Sequence, residues 1–224
     1  MSQPSLEDLG PRDPSLPLAE AVFRLLRSGL HSGVFRSGSR LREEDVAQAL
    51  KVSRTPVREA FARLTAKRLV EPSGGRGLIF RTLDTAEIME LYALREILEG
   101  ACARLAARQA SDAEIETLNE LAAGFLGSPD DPRDLARLNG LFHEAIFRAA
   151  RNRYLDMALS EMQDAIALLG PTTFGVEGRP STAAAEHARI VEAITKRDAE
   201  GAELAAREHI REALRARLRI IQSR

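Results

Sequence analysis

From Asp84 to the end of the chain, apolar residues recur at the spacing of α-helices, and no alternating strand pattern interrupts them. Stretches of turn and cap residues, such as GSP and GPTTFGVEGRPS, divide this region into segments. The pattern predicts helices over residues 85–109, 112–126, 133–150, 152–168, 181–197 and 199–222. Helices of this length joined by short breaks favour an antiparallel bundle, so we expect a bundle of six or more helices over residues 83–222.

The first 82 residues follow a different pattern. A helix is predicted from about residue 16 to 30, a short one over EEDVAQAL, and a third that runs to about Lys67. A hairpin is predicted next, around the loop SGGRG, with LVE and LIF as its strands. This order predicts a winged helix-turn-helix domain over residues 16–82, with the helix-turn-helix at about 43–62. Residues 1–15 are predicted to be a flexible tail, and the expected fold is mainly α.

The stretch VSRTPVREAFARL contains the second helix of the predicted helix-turn-helix. Val57, Phe61 and Leu64 share one face at the spacing i, i+4, i+7, and this face is expected to be buried. Thr55 is predicted to cap the helix N-terminus, with Pro56 at the first helical position, where a missing N–H costs nothing. The opposite face at this end remains exposed, and it is the part of a helix-turn-helix that enters the major groove.

Polar residues around this helix end and in the hairpin loop form the predicted DNA-binding set, which is Arg42, Ser53, Arg54, Thr55, Arg58, Arg76 and Gly77. Arg54 and Arg58 are long enough to reach guanine edges, and Gly77 would let the backbone approach the minor groove. The alternative is a solvated helix with extended arginines. The charge distribution favours DNA, because residues 1–82 hold 14 Lys+Arg and 9 Asp+Glu, whereas the remainder has a net charge of −6.

The run LREEDVAQALKVSRTPVREAFARLTAKRLVE resembles the N-terminal domain of GntR-family bacterial transcription regulators, and VSRTPVREA is its most recognisable part. The resemblance implies sequence-specific binding to an operator as a homodimer, with a short inverted repeat as the DNA site. The chain departs from the family pattern at Ser37, where the family often has proline, and at the residues before Leu69, where an acidic residue and a glycine are usual. Neither departure lies in the reading helix.

Three of the four histidines lie in the predicted bundle, at His143, His187 and His209. Asn139 precedes His143 by four residues, so both side chains project from one face of one helix. Three imidazoles and one amide oxygen that converge in a bundle could hold a divalent cation. Spacing alone leaves a second interpretation open, in which each histidine is an ordinary core or surface residue.

The helical region resembles the FCD ligand-binding domain of the FadR subfamily, in LYALREILEGACARLAA, LNGLFHEAIFRAARNRYL and EHARIVEAITKRDAEGAELAAREHI. The resemblance implies a metal site formed by Asn139, His143, His187 and His209. The family more often has aspartate at the first position, and a neutral amide oxygen makes Zn²⁺ or Ni²⁺ more suitable than Mg²⁺. The resemblance also implies that Arg95 binds the carboxylate of a small organic or sugar acid, whereas the alternative is a surface ion pair with Glu99.

These observations predict a ligand-responsive transcription regulator, a repressor that a small carboxylic acid releases from DNA. Two alternatives are a metal-dependent hydrolase-like enzyme in the bundle and a DNA-binding protein without an effector; the absence of a nucleophile motif argues against an enzyme. No apolar run approaches the roughly 20 residues of a membrane span, and the N-terminus has no export-signal pattern. Together with a single cysteine, Cys102, these features favour a cytoplasmic protein that does not contact a membrane.

Overall fold

The computed structural model describes residues 6, 9–75, 77–127 and 131–223. Within them the α-helices are α1 (Leu18–His31), α2 (Glu43–Ala49), α3 (Arg54–Ala66), α4 (Thr85–Gln109), α5 (Asp112–Leu126), α6 (Pro132–Ala149), α7 (Arg153–Ala167), α8 (Arg179–Thr195) and α9 (Ala199–Gln222). The strands are β1 (Arg40–Leu41), β2 (Val70–Pro72) and β3 (Leu78–Phe80), and a 3₁₀ helix covers Thr173–Gly175. Helical residues make up 72%, which confirms the mainly α fold.

The chain forms two compact units. The N-terminal unit comprises Met1–Asp84 together with Met162–Gly170, and the helical unit comprises Thr85–Glu161 and Pro171–Arg224. The last turns of α7 therefore belong to the first unit. This division was not predicted, because the helical periodicity of α7 does not show which unit each of its turns belongs to.

In the N-terminal unit, three antiparallel strands lie in the order β1-β3-β2 beside the helices. The hairpin is present, and its first strand lies one residue further along than predicted. β1 was not predicted, since two residues are too few to show a period of two. The core contains Val22, Leu26, Val57, Leu64 and Phe80, each completely buried.

Residues outside the helices and strands of the N-terminal unit also contribute to its core. Leu168, from the segment after α7, belongs to its apolar core. In the region expected to be a flexible tail, Leu6 and Leu9 pack partly buried against the same core, while residues 1–5, 7 and 8 lie outside the described part.

In the helical unit, α9 packs against α4 and α8, and α5 packs against α6 and α8. Local signals in the sequence explain where these helices begin. Ser111 and Glu114 form a reciprocal capping box at α5, and Asp131 and Asp198 cap α6 and α9 through their carboxylates. The helix bounds lie within two residues of those predicted. None of the helices in the described ranges has the length and apolar character needed to cross a membrane.

Candidate nucleic-acid interface and metal centre

Helix α3 begins at Arg54, two residues earlier than expected. Ser53 is the N-cap residue, with an extended backbone, and its side chain makes no capping hydrogen bond. The prediction that Thr55 caps the helix is therefore wrong, because Thr55 already lies in the first turn. Pro56 is tolerated there, since the N–H groups of a first turn have no partner within the helix.

The two faces of α3 differ as the sequence predicted. Val57 and Leu64 are completely buried and Phe61 is 6% exposed, whereas Ser53, Arg54, Thr55 and Arg58 are exposed. Arg42 is exposed at the start of α2 and lines the same groove as Arg54, Arg58 and Gly77. Four of the predicted DNA-binding residues therefore share one groove of the N-terminal unit, Ser53 and Thr55 are exposed at the start of α3, and Arg76 lies outside the described residues.

Gly77 lies in the loop of the β2–β3 hairpin, which is the wing of this domain, and it is required there for two reasons. Its φ angle is 104°, a conformation that residues with a Cβ rarely adopt. An added Cβ would also lie 2.4 Å from the carbonyl oxygen of Leu41 in β1, well inside contact distance. The backbone at Gly77 thus approaches β1 closely enough to exclude a side chain at this position.

Glu43, which is not among the predicted site residues, binds both Arg54 and Arg58. Its Oε2 accepts hydrogen bonds from Arg54 Nη2 and from Arg58 Nε, each 2.9 Å long. Glu44 accepts a further bond from Arg54 at 3.2 Å. The Arg54 hydrogen bond lowers the pKa of the Glu43 carboxyl; burial opposes this and the Arg58 bond adds to it. A carboxylate therefore occupies the guanidinium groups that are expected to meet DNA.

Arg63, further along α3, has a different environment from Arg54 and Arg58. Its guanidinium lies 4.4 Å from the ring centre of Phe23 and forms an ion pair with Glu20. Arg63 is thus engaged in the packing of the N-terminal unit, which agrees with its omission from the predicted DNA-binding set.

In the helical unit, the three histidines converge. Asn139 and His143 come from α6, His187 from α8 and His209 from α9. One ring nitrogen from each histidine lies within 4.8 Å of the other two, and all three side chains are buried. Nε2 of His143 lies 3.1 Å from Nε2 of His209, and Nε2 of His187 lies 3.1 Å from Oδ1 of Asn139. The packing of three helices therefore brings together four residues that are up to 70 positions apart.

Two buried carboxylates, which the sequence analysis did not assign to the site, lie behind these histidines. Glu186 Oε2 accepts a 2.7 Å hydrogen bond from Nδ1 of His209. Glu99 Oε2 lies 2.8 Å from Nδ1 of His143, a short contact that lacks hydrogen-bond alignment. Burial raises the pKa of Glu186 against the opposing effect of Arg179. For Glu99, burial also favours the neutral form, but Arg95 and His143 outweigh it and lower the pKa to about 2.

Arg95 and Arg179 complete the surroundings of the histidines. Arg95 Nε donates to Glu99 at 2.9 Å, and Arg179 Nη1 donates to Glu186 at 2.8 Å. Arg95 and Glu99 do form an ion pair, but it does not lie on the surface, because the two side chains are only 11% and 5% exposed. Arg179 is also buried. Charged residues on the inner face of a helix are a possible sequence signal for such pairs, since charges are rarely buried without a partner.

The histidines are held in a form suited to metal binding. Burial lowers the pKa of both His187 and His209 well below the ordinary value, and nearby positive charges add to the effect. Both rings are therefore neutral at physiological pH, and a neutral imidazole has a lone pair for a cation. Three imidazole nitrogens and one amide oxygen match the nitrogen-rich set that Zn²⁺ accepts.

A winged helix-turn-helix in the same chain as a helical domain with a histidine cluster defines a DNA-binding regulator with a ligand-binding domain. Comparison with known families agrees. The sequence matches the FCD domain over residues 90–212 and the gntR family of bacterial regulatory proteins over residues 18–80. The chain belongs to the GntR family of transcription regulators, with an FCD domain as in its FadR subfamily. This membership identifies a regulator and does not support the hydrolase alternative.

Similar proteins come from several bacteria. The probable D-xylose utilization operon transcriptional repressor of Paenarthrobacter nicotinovorans is 33% identical over 77% of this chain and 76% of its own. The uncharacterized HTH-type regulator YdhC of Bacillus subtilis is 27% identical over 88% of each chain. The solved structure of E. coli McbR/YncC, at 18% identity, covers 92% of this chain and 99% of its own with a TM-score of 0.79. This last similarity establishes the fold.

Proposed function

We propose that this regulator is a repressor that binds an inverted-repeat operator as a homodimer, and that a small carboxylic acid releases it. The exposure of Arg54 and Arg58 on the groove shared with Arg42 and Gly77 carries the DNA-reading part of the proposal. Arginine is the residue best suited to bind guanine edges, and exposed hydroxyls at Ser53 and Thr55 suit phosphate oxygens. The probable D-xylose operon repressor among the relatives supports repression. Regulation of transcription also supports a cytoplasmic location.

We further propose that Asn139, His143, His187 and His209 hold a divalent metal ion, with Zn²⁺ or Ni²⁺ favoured. Two observations support this site. The first is that the Nε2 atoms of His143 and His209 are buried and face each other, so one ion could be bound by both. Their 3.1 Å separation is also close to that of two nitrogens on one ion with bonds of about 2.0–2.1 Å. When bound, the metal would supply a Lewis-acidic position for an effector carboxylate.

Charge near the histidines supports an acidic effector. The pairs Arg95–Glu99 and Arg179–Glu186 each combine one positive and one negative group, and the proposed metal ligands are neutral. A divalent ion would therefore bring uncompensated positive charge into a buried site, where the carboxylate of an organic or sugar acid would stabilise it. Because Arg95 already donates to Glu99, an effector carboxylate would share the Arg95 guanidinium with that residue.

The experiment is a gel shift with DNA from upstream of the protein's own gene. Lactate, malate, citrate and gluconate would each be added, with and without a chelator. We expect a specific protein–DNA complex that at least one acid dissociates, and we expect the chelator to weaken that response. A specific complex that no acid affects would contradict the effector part of the proposal. Binding equal to that of random DNA would contradict the operator part.

A further inference from the structure

A guanidinium, a carboxylate and an imidazole follow one another in contact on two sides of the histidine cluster. On one side Arg179 bonds to Glu186, which bonds to His209. On the other side Arg95 bonds to Glu99, which lies against His143. These two groups of three residues place one buried carboxylate behind each of two proposed metal ligands.

Local helix geometry explains how each arginine meets its carboxylate. Arg95 and Glu99 are four residues apart on α4, and Arg179 and Glu186 are seven residues apart on α8. Both spacings place the two side chains on the same face of a helix. The packing of α9 against α8 then brings His209 to Glu186. Both carboxylates are almost completely buried, at 4% exposed for Glu99 and 1% for Glu186.

The bond between His209 and Glu186 fixes the position of the ring proton. Oε2 of Glu186 already accepts a hydrogen bond from Arg179 Nη1, so it also accepts from His209, and Nδ1 of His209 carries the proton. In the neutral ring, Nε2 then has a lone pair, and this is the atom that faces Nε2 of His143 at 3.1 Å. At His143 the constraint is electrostatic: its Nδ1 lies 2.8 Å from the Glu99 carboxylate without hydrogen-bond alignment, and the negative charge favours a proton on that nitrogen.

We infer that Glu186 and Glu99 are positioning residues that keep the ring protons of His209 and His143 on Nδ1 and so direct both Nε2 lone pairs into the proposed metal site. This inference rests on the metal site proposed above. Carboxylates that hold metal-binding histidines orient the ring and make it a stronger donor. The effect matters here because Asn139 brings no negative charge of its own.

His187 provides an internal contrast. Its Nδ1 is buried and has no hydrogen-bond partner among the described residues. The ring is held by aromatic packing, stacked on Phe142 at 4.3 Å between ring centres and against the edge of Phe125 at 4.8 Å. The polar partner of His187 is the neutral oxygen Oδ1 of Asn139, 3.1 Å from Nε2, so changes at Glu186 or Glu99 should leave the ring-proton position of His187 unaffected.

The first test measures Zn²⁺ affinity by competition with a chelator for the full-length protein and for Glu186→Gln and Glu99→Gln. Glu96→Gln is the matched control, because Glu96 is also on α4 but pairs with Arg207 and Arg211 and not with a histidine. We expect a loss of roughly 10- to 100-fold for Glu186→Gln, a smaller loss for Glu99→Gln, and none for the control. Wild-type affinity in both Gln variants would overturn the inference.

The second test is long-range ¹H–¹⁵N spectroscopy of the histidine rings in metal-free protein, which reports the proton position directly. We expect the Nδ1–H form for His209 and His143 in the wild type, and loss of that form at His209 alone in Glu186→Gln. An Nε2–H form for His209 in the wild type would overturn the inference. Should the wild type take up no Zn²⁺, the metal proposal fails, and these spectra still decide the proton positions. The wild-type spectra also decide the proton positions if a Gln variant does not fold.

Discussion

Glu43 and Arg58 are joined by a 2.9 Å hydrogen bond, and the same carboxylate oxygen binds Arg54 at the same distance. DNA phosphates and guanine edges would compete with Glu43 for these two guanidinium groups. The carboxylate also repels phosphate, which discourages binding to arbitrary sequences. Glu43 is therefore placed both to orient the reading arginines and to restrain them.

Replacing Glu43 with glutamine should make DNA binding less selective. We expect tighter binding to random DNA, because one repulsive charge is removed. The ratio of operator to random affinity should fall roughly tenfold, which corresponds to one charge-assisted hydrogen bond of about 1.5 kcal/mol. Fluorescence anisotropy at fixed salt measures both affinities. Glu144→Gln, which removes the same charge from a surface pair with Arg148, is the control. An unchanged ratio in Glu43→Gln would show that Glu43 has no part in selectivity.

Gly77→Ala should destabilise the wing, while Gly124→Ala should not destabilise the protein. Gly77 has a φ angle of 104° and no room for a Cβ, so alanine is expected to cost about 1–3 kcal/mol. Gly124 lies within α5, where an added Cβ meets nothing within 4 Å, and alanine there should stabilise the helix by up to about 1 kcal/mol. Denaturant unfolding of the two variants gives both values. Equal effects of the two substitutions would contradict the close approach of the wing to β1.

Asp164 should make the N-terminal unit sensitive to acid. Burial raises the pKa of this carboxyl, but hydrogen bonds from His31 and from Arg27 outweigh it, and the net pKa is lowered below 3.8. A lowered carboxyl pKa contributes stability above the unfolded value of 3.8, and that contribution is lost as pH falls through the folded value. Asp164→Asn should therefore melt at a lower temperature than the wild type at pH 7. The difference should shrink as pH falls below 3.8, and a difference that is constant with pH would contradict this assignment.

Metal removal should lower the melting temperature of the protein. A ligand at 100 times its Kd stabilises the folded state by about 2.7 kcal/mol, so chelation of a bound ion should be visible by calorimetry. In the double variant His143→Ala and His209→Ala, chelator should have no effect, and elemental analysis should find no metal. Mg²⁺ in place of Zn²⁺ should restore little stability, because imidazole nitrogens suit Zn²⁺ better. If chelation leaves the wild type unchanged, the histidine cluster holds no metal.

The helix positions were predictable from the sequence because long amphipathic segments repeat a strong local signal. His143, His187 and His209 were identified with the help of a family resemblance, and the structure brings them together. Spacing alone could not choose between a metal site and ordinary packing, since helices that are distant in sequence determine which side chains meet.

Residues that act through tertiary contacts were missed. Glu99 and Glu186 were not identified because a carboxylate on a helix is usually exposed, and only the packing of α4, α8 and α9 buries them. Glu43 was missed because its partners are 11 and 15 residues away, on the next helix. The error at Thr55 is a local one. Ser53 and Thr55 are both residue types that cap helices, and the extended backbone at Ser53 makes it the N-cap residue.

The most direct test of the account is the DNA preference of Arg58→Ala, measured by fluorescence anisotropy against upstream DNA and a random duplex of equal length. Arg148→Ala is the control, because Arg148 is an exposed arginine on α6. We predict that the wild type and the control prefer the upstream DNA, and that Arg58→Ala loses roughly tenfold to a hundredfold of that preference while it remains folded. An Arg58→Ala protein that keeps the full preference would contradict the assignment of α3 as the reading helix.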